Sequence, residues 1–418
     1  MFEVFLYAFY LLLPFSFALN PVADVDLPIV RVAVAILFLA WLLGALLRRQ
    51  LKIESPFILS LFIFWLLWST SSIFWAFDMT WSIRKVLFIL NIGVFFPLLL
   101  TFTANNLKKP ITGFILGSIS IALVACAQSL LPLFLSMENV LTLWNSKIAP
   151  FFLGESSSLV VKDYPSLLVN ILGVTYLRAT AFFPDPHTLS LYLGLALPLV
   201  AVWQYKQKTF LAKVGLFVIL LAILLTFSRG AYIALFLTSV ILLTVLFLEN
   251  RQQYGKYFLG GIVLLGLVFF ATPIGPRVLS SWSQEDGSRT ERLRLLNEAV
   301  GHVLERPLLG IGIGNYPILV KPDAATREPI YVHNLYLDIL VEQGFVGLLL
   351  FLSFVLGSLG KGFFTWRREG DPLVLACCVG TIYFLWHGMF EAPLFSFHVM
   401  LALFLLLAYQ VVPKEKTL

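Results

Sequence analysis

The feature that most constrains this chain is a succession of apolar windows, each about as long as a helix that crosses a membrane. A bilayer requires roughly 20 apolar residues per crossing helix. Only 12% of the 418 residues are charged, 59% are hydrophobic and the mean hydropathy is +0.91, which excludes an ordinary soluble globular protein. The sequence therefore predicts an all-α polytopic integral membrane bundle of about twelve helices, forming a single membrane domain over 1–418. The windows lie near 3–19, 28–47, 56–75, 83–104, 111–134, 187–204, 209–227, 230–248, 257–272, 334–358, 372–390 and 394–412.

The loops between these windows predict the orientation of the bundle. Every even-numbered window is followed by a short basic stretch, and the first window lacks the charged start and cleavage site of a removable signal. Lysine and arginine accumulate in cytoplasmic loops of membrane proteins. We therefore expect these loops and both termini to face the cytoplasm. The basic residues are Arg48, Arg49, Lys52, Lys108, Lys109, Lys206, Lys208, Lys213, Arg251, Lys256, Lys361, Arg367, Arg368, Lys414 and Lys416.

Two of the opposite loops are long and predict a structured cover on the outer face of the membrane. They span about 135–186 and about 273–333. Within the second, residues 290–305 have apolar side chains at helical spacing, and Pro307 follows them. This pattern predicts an amphipathic helix lying over the bundle. Its apolar positions are Leu293, Leu296, Ala299, Val300 and Val303.

The net charge and the cysteines exclude several classes of function. The formal charge of +6 is what inside-loop lysines and arginines produce, so it is weak evidence for nucleic-acid binding. The three cysteines, Cys126, Cys377 and Cys378, lie in apolar windows without metal-ligand spacing or a disulfide framework. No cofactor and no metal are expected.

One loop–helix junction carries the strongest candidate chemistry. His333 precedes an apolar helix that contains Asp338 and Glu342, four residues apart and therefore on one face. Carboxylates within an apolar helix are costly and persist when they face a protein interior with partners. A neutral imidazole at the membrane boundary could accept a proton near pH 7. Glu391 also follows His387 by four residues, and structural packing is the preferred interpretation of that second pair.

Arg229 lies at the hinge between two apolar windows, on the outer face. An arginine there could merely extend to the interface. It could instead bind an anion, since the free amides and positive dipole end of the following helix would add to the guanidinium. We favour anion binding.

Further cations are predicted on the same face. Arg178 precedes the sixth window and Arg84 opens the fourth, where a role as an interface anchor is equally compatible with its position. The amphipathic loop helix carries Arg289, Arg292 and Arg294. Among these three we favour Arg292, with Arg289 as a further substrate-binding candidate, and the choice stays open.

Taken together, these motifs resemble the O-antigen ligase and O-antigen polymerase superfamily of bacterial envelopes. The resemblance rests on Ser228-Arg229-Gly230, on Arg292 about fifteen residues before the glycine-rich segment 307–316, and on the segment His333–Gly347. Within that last segment, His333 and Asn334 are followed by Tyr336 and Leu337, and Glu342 by Gly344 and Gly347. The match is densest over about 175–360.

The resemblance implies a glycosyltransferase that takes its donor from a lipid carrier. The donor would be a glycan on polyprenyl (undecaprenyl) diphosphate, because no nucleotide sugar is available outside the inner membrane. Arg229 and Arg292 would be catalytic residues that hold the diphosphate without a metal, and Arg178, Arg84 and Arg289 would be further substrate-binding residues. His333 would be the base for the acceptor hydroxyl, with Asn334, Asp338 and Glu342 in the substrate site, where either acid could orient the imidazole or neutralise an arginine. A single displacement would invert the anomeric configuration.

Three functions remain to be compared. We favour a ligase of lipopolysaccharide biosynthesis that transfers the glycan to a lipid A-core acceptor, and the alternative is a polymerase that extends the lipid-linked glycan. A transporter or flippase is the rival from another class, but it should place ionisable residues near the bilayer midplane. In this chain the ionisable residues gather at the outer edge of the membrane, which favours an enzyme over a transporter. The expected partners of this enzyme are the lipid-linked donor, a glycan acceptor and membrane lipids.

Overall fold

The computed structural model describes residues 2–22, 25–48, 52–155, 167–171, 173–252, 287–321 and 331–414. In these ranges the chain is an all-α bundle with two small antiparallel hairpins, so the predicted fold class is confirmed. The hairpins pair β1 (Ala18–Val22) with β2 (Val25–Pro28), and β3 (Leu168–Ile171) with β4 (Val174–Leu177). The helices are α1 Phe2–Leu12, α2 Ile29–Arg48, α3 Pro56–Ser71, α4 Met79–Gly93, α5 Phe95–Leu99, α6 Ala104–Leu130, α7 Met137–Leu143, α8 Ala149–Leu153, α9 Pro186–Gln207, α10 Phe210–Leu225, α11 Arg229–Glu249, α12 Gly287–Glu305, α13 Tyr316–Val320, α14 Leu335–Glu369, α15 Pro372–His387 and α16 Phe397–Val411.

Eleven of the predicted apolar windows correspond to helical segments of the described chain. Seven are long and apolar enough to cross a membrane, and four are shorter apolar helices. The window near 257–272 lies outside the described residues. The seven are Ile29–Leu47, Pro56–Trp75, Met79–Leu99, Ala104–Leu133, Pro186–Gln207, Arg229–Glu249 and Leu335–Glu369; the four are Phe2–Phe15, Phe210–Leu225, Pro372–His387 and Phe397–Val411.

The last helix, α16, forms the centre of the bundle. Every side chain from His398 to Val411 is buried, as expected for a helix that is apolar all round. The Tyr10 hydroxyl of α1 donates a hydrogen bond to the Leu401 carbonyl, 3.0 Å away. Phe62 and Phe354 bring α3 and α14 against Phe404, with ring centroids 5.1–5.6 Å from Phe62.

Close helix contact in the bundle also depends on small residues. A Cβ at Gly113 or Gly117 of α6 would overlap backbone carbonyls of α1. This four-residue spacing of glycines is the pattern that lets membrane helices approach closely.

Several of the basic loops come together at one end of the bundle. Arg367 pairs with Glu249 at 2.6 Å, and Lys414 pairs with Asp371 at 2.7 Å. Near the start of the chain, Lys109 pairs with Glu3 at 2.9 Å. These contacts join segments that the sequence places on the same side, and the choice of that side as cytoplasmic stays a prediction.

The loop helix α12 packs against α14, but through a different face from the one predicted. Leu295 and Ala299 are buried, whereas Leu293, Leu296 and Val300 are exposed by 37–48%. Of the predicted stripe, only Ala299 and Val303 contact the small core formed with Ile311, Tyr316, Val332 and Val341. Two overlapping stripes satisfy helical spacing in this segment, and the contact with Tyr316 selects the stripe that contains Leu295.

Candidate functional site

Three helices begin near one another at the end of the bundle that carries the candidate residues. Asp185 caps α9 by accepting from the backbone N–H groups of His187 and Thr188. Ser228 caps α11, and Asn334 caps α14. Each cap satisfies amides that a helix start leaves unpaired. The positive dipole ends of the three helices therefore point toward this part of the molecule.

Arg178 and the Ser228–Arg229 hinge form one side of the site. The Arg178 Nε–H donates to the Thr226 carbonyl at 2.8 Å, and its guanidinium lies 3.5 Å from the Nε2 atom of His187. The Nδ1 atom of His187 lies 2.8 Å from the Ser228 hydroxyl. His187 thus joins the arginine that precedes α9 to the residue that caps α11. The structure thus connects Arg178 to Ser228, the residue immediately before Arg229.

The turn before Arg229 is held in an unusual backbone conformation. Phe227 has a φ of 49°, in the left-handed region that non-glycine residues rarely adopt. Arg229 itself is half-buried at the first position of α11. A Cβ at Gly230 would lie 2.6 Å from the Phe390 Cβ. Only glycine lets the start of α11 approach the 388–392 turn this closely.

The 388–392 turn links Arg229 to His333. Glu391, one residue after Phe390, has a side chain that is 3% exposed, and its Oε2 atom lies 3.7 Å from the His333 Nδ1 atom. The N–H of Leu335 donates to the Gly388 carbonyl at 2.7 Å, and the Asn334 amide donates to the Met389 carbonyl at 3.3 Å. The Arg229 hinge and the His333 junction, which the sequence analysis selected separately, therefore meet across this turn.

His333 adopts a strained backbone conformation at its junction. Its φ is 54°, and its ring lies 4.6 Å from the Tyr331 ring, centroid to centroid. Its imidazole is 25% exposed, so one edge is open to solvent while the other faces Glu391. Non-glycine residues in this region cluster at functional sites, because the surrounding structure must hold them there.

The acids of α14 have a partner that the sequence analysis did not select. Asp338 and Glu342 are buried, 4% and 3% exposed, and both interact electrostatically with Lys85 of α4. The Asp338 carboxylate accepts from the Val332 N–H and also feels the charges of His333 and Glu391. The carboxylate placed beside the His333 imidazole within salt-bridge range is that of Glu391.

A glycine-rich loop, residues 307–316, packs into a break in α14. Gly344 has φ 69° and ψ −176°, and a Cβ there would overlap the Leu308 carbonyl. The amides of Ile311 and Gly312 donate to the carbonyls of Val341 and Glu342, each at 2.9 Å. These contacts fix the glycine-rich loop to the acid-bearing turn of α14.

Of the three loop arginines, Arg294 is the one whose side chain the structure describes. Arg289 and Arg292 lie on α12, where side chains are described from Leu293 onward. Arg294 pairs with Glu298 at 2.6 Å, with about half of its side chain exposed. Position 292 lies three residues before Leu295 and seven before Ala299, which places it on the buried stripe of the helix.

Arg84 does not lie with the acids. It is exposed on α4, with its guanidinium carbon 5.3 Å from the centroid of the Trp81 ring. The adjacent Lys85 faces inward instead, because Ser82, Val86 and Ile89 define the buried side of this helix.

Asp185 and Glu391 form an acidic pair within the site. Burial raises the pKa of the Asp185 carboxyl above its usual range, and the Glu391 carboxylate raises that pKa further, while its cap hydrogen bonds oppose the shift. Two nearby carboxylates favour proton sharing or a cationic ligand. Within the described ranges, no group of three or more His, Cys, Asp or Glu side chains could hold a metal ion.

The sequence analysis therefore missed four residues that the structure brings to the site. Asp185 and His187 follow Arg178 by seven and nine residues, and the helix-capping Asp185 with Pro186 at the first helical position was their signal. Glu391 was paired with His387, but the His387 Nε2 atom lies 3.3 Å from the Ser190 hydroxyl. Lys85 stands next to Arg84, and nothing in an almost uniformly apolar window distinguishes the two.

Comparison with known families gives one match. Residues 214–352 match the family described as O-antigen ligase, a range that contains Arg229, Arg292, His333, Asp338 and Glu342. This match confirms the superfamily resemblance drawn from the motifs. A comparison with curated proteins gave no match.

Proposed function

We propose that this chain, whose residues 214–352 match the O-antigen ligase family, is a membrane glycosyltransferase that transfers a glycan from undecaprenyl diphosphate to a lipid A-core acceptor. The reaction would take place on the periplasmic face of the inner membrane, without a metal and with inversion at the anomeric carbon. The observation that carries this proposal is the meeting of the Arg229 helix start with the His333–Glu391 pair across the 388–392 turn.

The donor diphosphate is assigned to the arginine side of the site. Arg229 stands at a helix N-terminus and Arg178 lies in the same network through His187 and Ser228. Guanidinium groups hold phosphate oxygens bidentately, and helix N-termini add a fixed positive potential. Arg292 would complete the site from α12, whose buried stripe contains its position.

The acceptor hydroxyl is assigned to His333. The oxygen of the acceptor hydroxyl attacks the anomeric carbon of the donor glycan, and the bond from that carbon to the phosphate oxygen breaks. The proton of the acceptor hydroxyl passes to the His333 imidazole. The electron pair of the broken bond leaves on undecaprenyl diphosphate, whose charge the arginines stabilise. Glu391 would orient the ring and stabilise the imidazolium, in the manner of carboxylate–histidine pairs in other enzymes.

The polymerase alternative uses the same donor and the same geometry. It differs only in its acceptor, which would be a second lipid-linked glycan. Purified protein is therefore incubated with a lipid-linked glycan and either lipid A-core or a second lipid-linked glycan, and the acceptor that gains sugar is identified by mass spectrometry. Transfer to lipid A-core supports the ligase, and extension of the carrier-linked glycan alone overturns it in favour of the polymerase.

Two residues test the assigned roles in the same assay. His333→Ala should lower the transfer rate by roughly 10²–10⁴-fold, the range for loss of a general base, and His333→Gln should not restore it. Arg229→Ala should abolish donor binding, and Arg229→Lys should restore it poorly, because lysine lacks the planar fork. Arg251→Ala, which removes an arginine stacked on Phe247 beyond the far end of α11, is the control. Full activity of His333→Gln would reduce His333 to a positioning role.

A further inference from the structure

Lys85 of α4 interacts electrostatically with the two acids of α14 and packs against Gly314 of the glycine-rich loop. We propose that Lys85 is a positioning residue whose charge holds the Asp338 and Glu342 carboxylates in place, and that these carboxylates fix His333 and the arginine-bearing helix α12 relative to each other. This inference rests on the proposed function, since it concerns the residues assigned there to base and donor binding.

The first carboxylate fixes the backbone beside His333. Asp338 accepts a hydrogen bond from the N–H of Val332, the residue immediately before His333. His333 itself has a φ of 54°, a conformation that requires support from its surroundings. The Asp338 N–H donates to the Asn334 carbonyl at 2.9 Å, which is an ordinary backbone bond of α14. The Asp338 side chain therefore holds the chain on one side of His333, at Val332, and so helps to determine where the imidazole lies.

The second carboxylate fixes the helix that carries the loop arginines. Glu342 accepts from the amides of Gly314 and Tyr316, the latter at 3.3 Å. The hydroxyl of Tyr316, which is fully buried, donates to the Leu295 carbonyl of α12 at 2.7 Å. A continuous chain of hydrogen bonds thus runs from Glu342 through Tyr316 to the helix that contains Arg292.

The two carboxylates need a nearby positive charge. They lie one helical turn apart and are buried, an arrangement in which like charges repel and neither is well solvated. The charges that face them are Lys85, which interacts with both acids, and His333 and Glu391, which interact with Asp338. Of the two cations, His333 faces Asp338 alone, whereas Lys85 interacts with both acids and is therefore the group that offsets the pair.

The surroundings of Lys85 favour a positioning role over direct contact with a donor. A Cβ at Gly314 would overlap the Lys85 alkyl chain, so the loop closes over the stem of the side chain. Its ammonium lies 3.9 Å from the centroid of the Phe395 ring, a favourable cation–π position. The aromatic ring and the two acids are thus the neighbours of the charge, and the side chain as a whole is half-buried.

A compensating double variant tests this inference. Lys85→Met keeps the length of the side chain but leaves the carboxylates without their cation. We expect a lower kcat and a higher donor KM. Together they should reduce kcat/KM by about 10- to 100-fold, the range for groups that orient a functional residue. Lys85→Met/Glu342→Gln removes one negative charge while an amide oxygen still accepts from Tyr316. The double variant should fold and recover at least tenfold of the loss. Lys108→Met, exposed near the start of α6, is the control and should behave as wild type.

Each outcome bears on the proposal. Wild-type kinetics in Lys85→Met, or a double variant that fails to fold or shows no recovery, would overturn it. Loss of donor binding that the double variant leaves unchanged would mean that Lys85 contacts the diphosphate directly, which also contradicts a positioning role. His333→Ala and Arg229→Ala are measured beside these variants. If both of them keep full activity, the proposed function fails; if they lose activity and Lys85→Met does not, only the role of Lys85 fails.

Discussion

The Nδ1 atom of His333 lies 3.7 Å from the Oε2 atom of Glu391, although 58 positions of sequence separate the two residues. His333 stands at the start of α14, and Glu391 lies in the turn after α15. The turn itself is fixed to the start of α14 by the hydrogen bond from the Leu335 N–H to the Gly388 carbonyl. The pairing therefore depends on how two helices of the bundle dock and not on local sequence.

This pairing predicts the effect of neutralising Glu391. Glu391→Gln keeps the size of the side chain but removes its charge, so the imidazolium formed during transfer loses its stabilising partner. We expect kcat to fall about 10- to 100-fold with the donor KM nearly unchanged. Steady-state kinetics with the lipid-linked donor measure this. Glu298→Gln, on an exposed face of α12, is the control, and an equal effect of both substitutions would contradict a specific role for Glu391.

The choice among the three loop arginines can be tested through the geometry of α12. Arg292→Ala should lose most of the transfer activity, because position 292 falls on the stripe that packs toward the site. Arg294→Ala should stay within about twofold of wild type, since its exposed ion pair with Glu298 is of a kind that contributes about 0–1 kcal/mol. Arg289→Ala should have an intermediate effect. Initial rates for the three variants decide the order, and a larger loss in Arg294→Ala than in Arg292→Ala would reverse the assignment.

Chelation tests the proposal that arginines and helix dipoles replace a metal. Treatment with EDTA should leave the transfer rate within experimental error of the untreated enzyme. The same assay is then repeated after addition of magnesium or manganese. A loss on chelation that either cation restores would show that the diphosphate needs a metal, and the assigned roles of Arg178 and Arg229 would have to be revised.

The orientation of the bundle predicts which loops an impermeant thiol reagent can reach. The native cysteines are all buried, so single cysteines can be introduced with little background. Glu138→Cys and Leu308→Cys should label in intact spheroplasts, since both positions are exposed on the side predicted to be periplasmic. Gln207→Cys, exposed on the basic side, should label only after lysis. Labelling of position 207 in intact cells would invert the topology and move the proposed reaction to the cytoplasm.

The sequence predicted the helical class because hydropathy is a property of each segment alone. Asp338 and Glu342 were likewise predicted to share a face, since four-residue spacing decides that within one helix. Their partner Lys85 lies on α4, and a window that is apolar on every side does not indicate which of Arg84 and Lys85 points inward. The buried stripe of α12 depended on Tyr316 in the same way. Residues that act across helices were missed because bundle docking, and not local periodicity, brings them together.

The break in α14 was also invisible in the sequence, and it gives the last prediction. Gly344 has a φ of 69° and lies against the Leu308 carbonyl. Gly344→Ala would place a methyl group against that carbonyl and force alanine into a backbone region, at positive φ with ψ near 180°, that only glycine adopts readily, which by itself costs about 1–3 kcal/mol. With overpacking of about 1–3 kcal/mol added, we expect a loss of roughly 2–6 kcal/mol in stability and release of the glycine-rich loop from Glu342. Thermal unfolding of the purified protein in detergent measures the first effect, and donor binding measures the second.

Gly360→Ala, in the same helix with no atom within 4 Å of the added Cβ, should be neutral or stabilise the protein by up to about 1 kcal/mol. Equal unfolding temperatures for the two variants would mean that the break at Gly344 is not required by the fold.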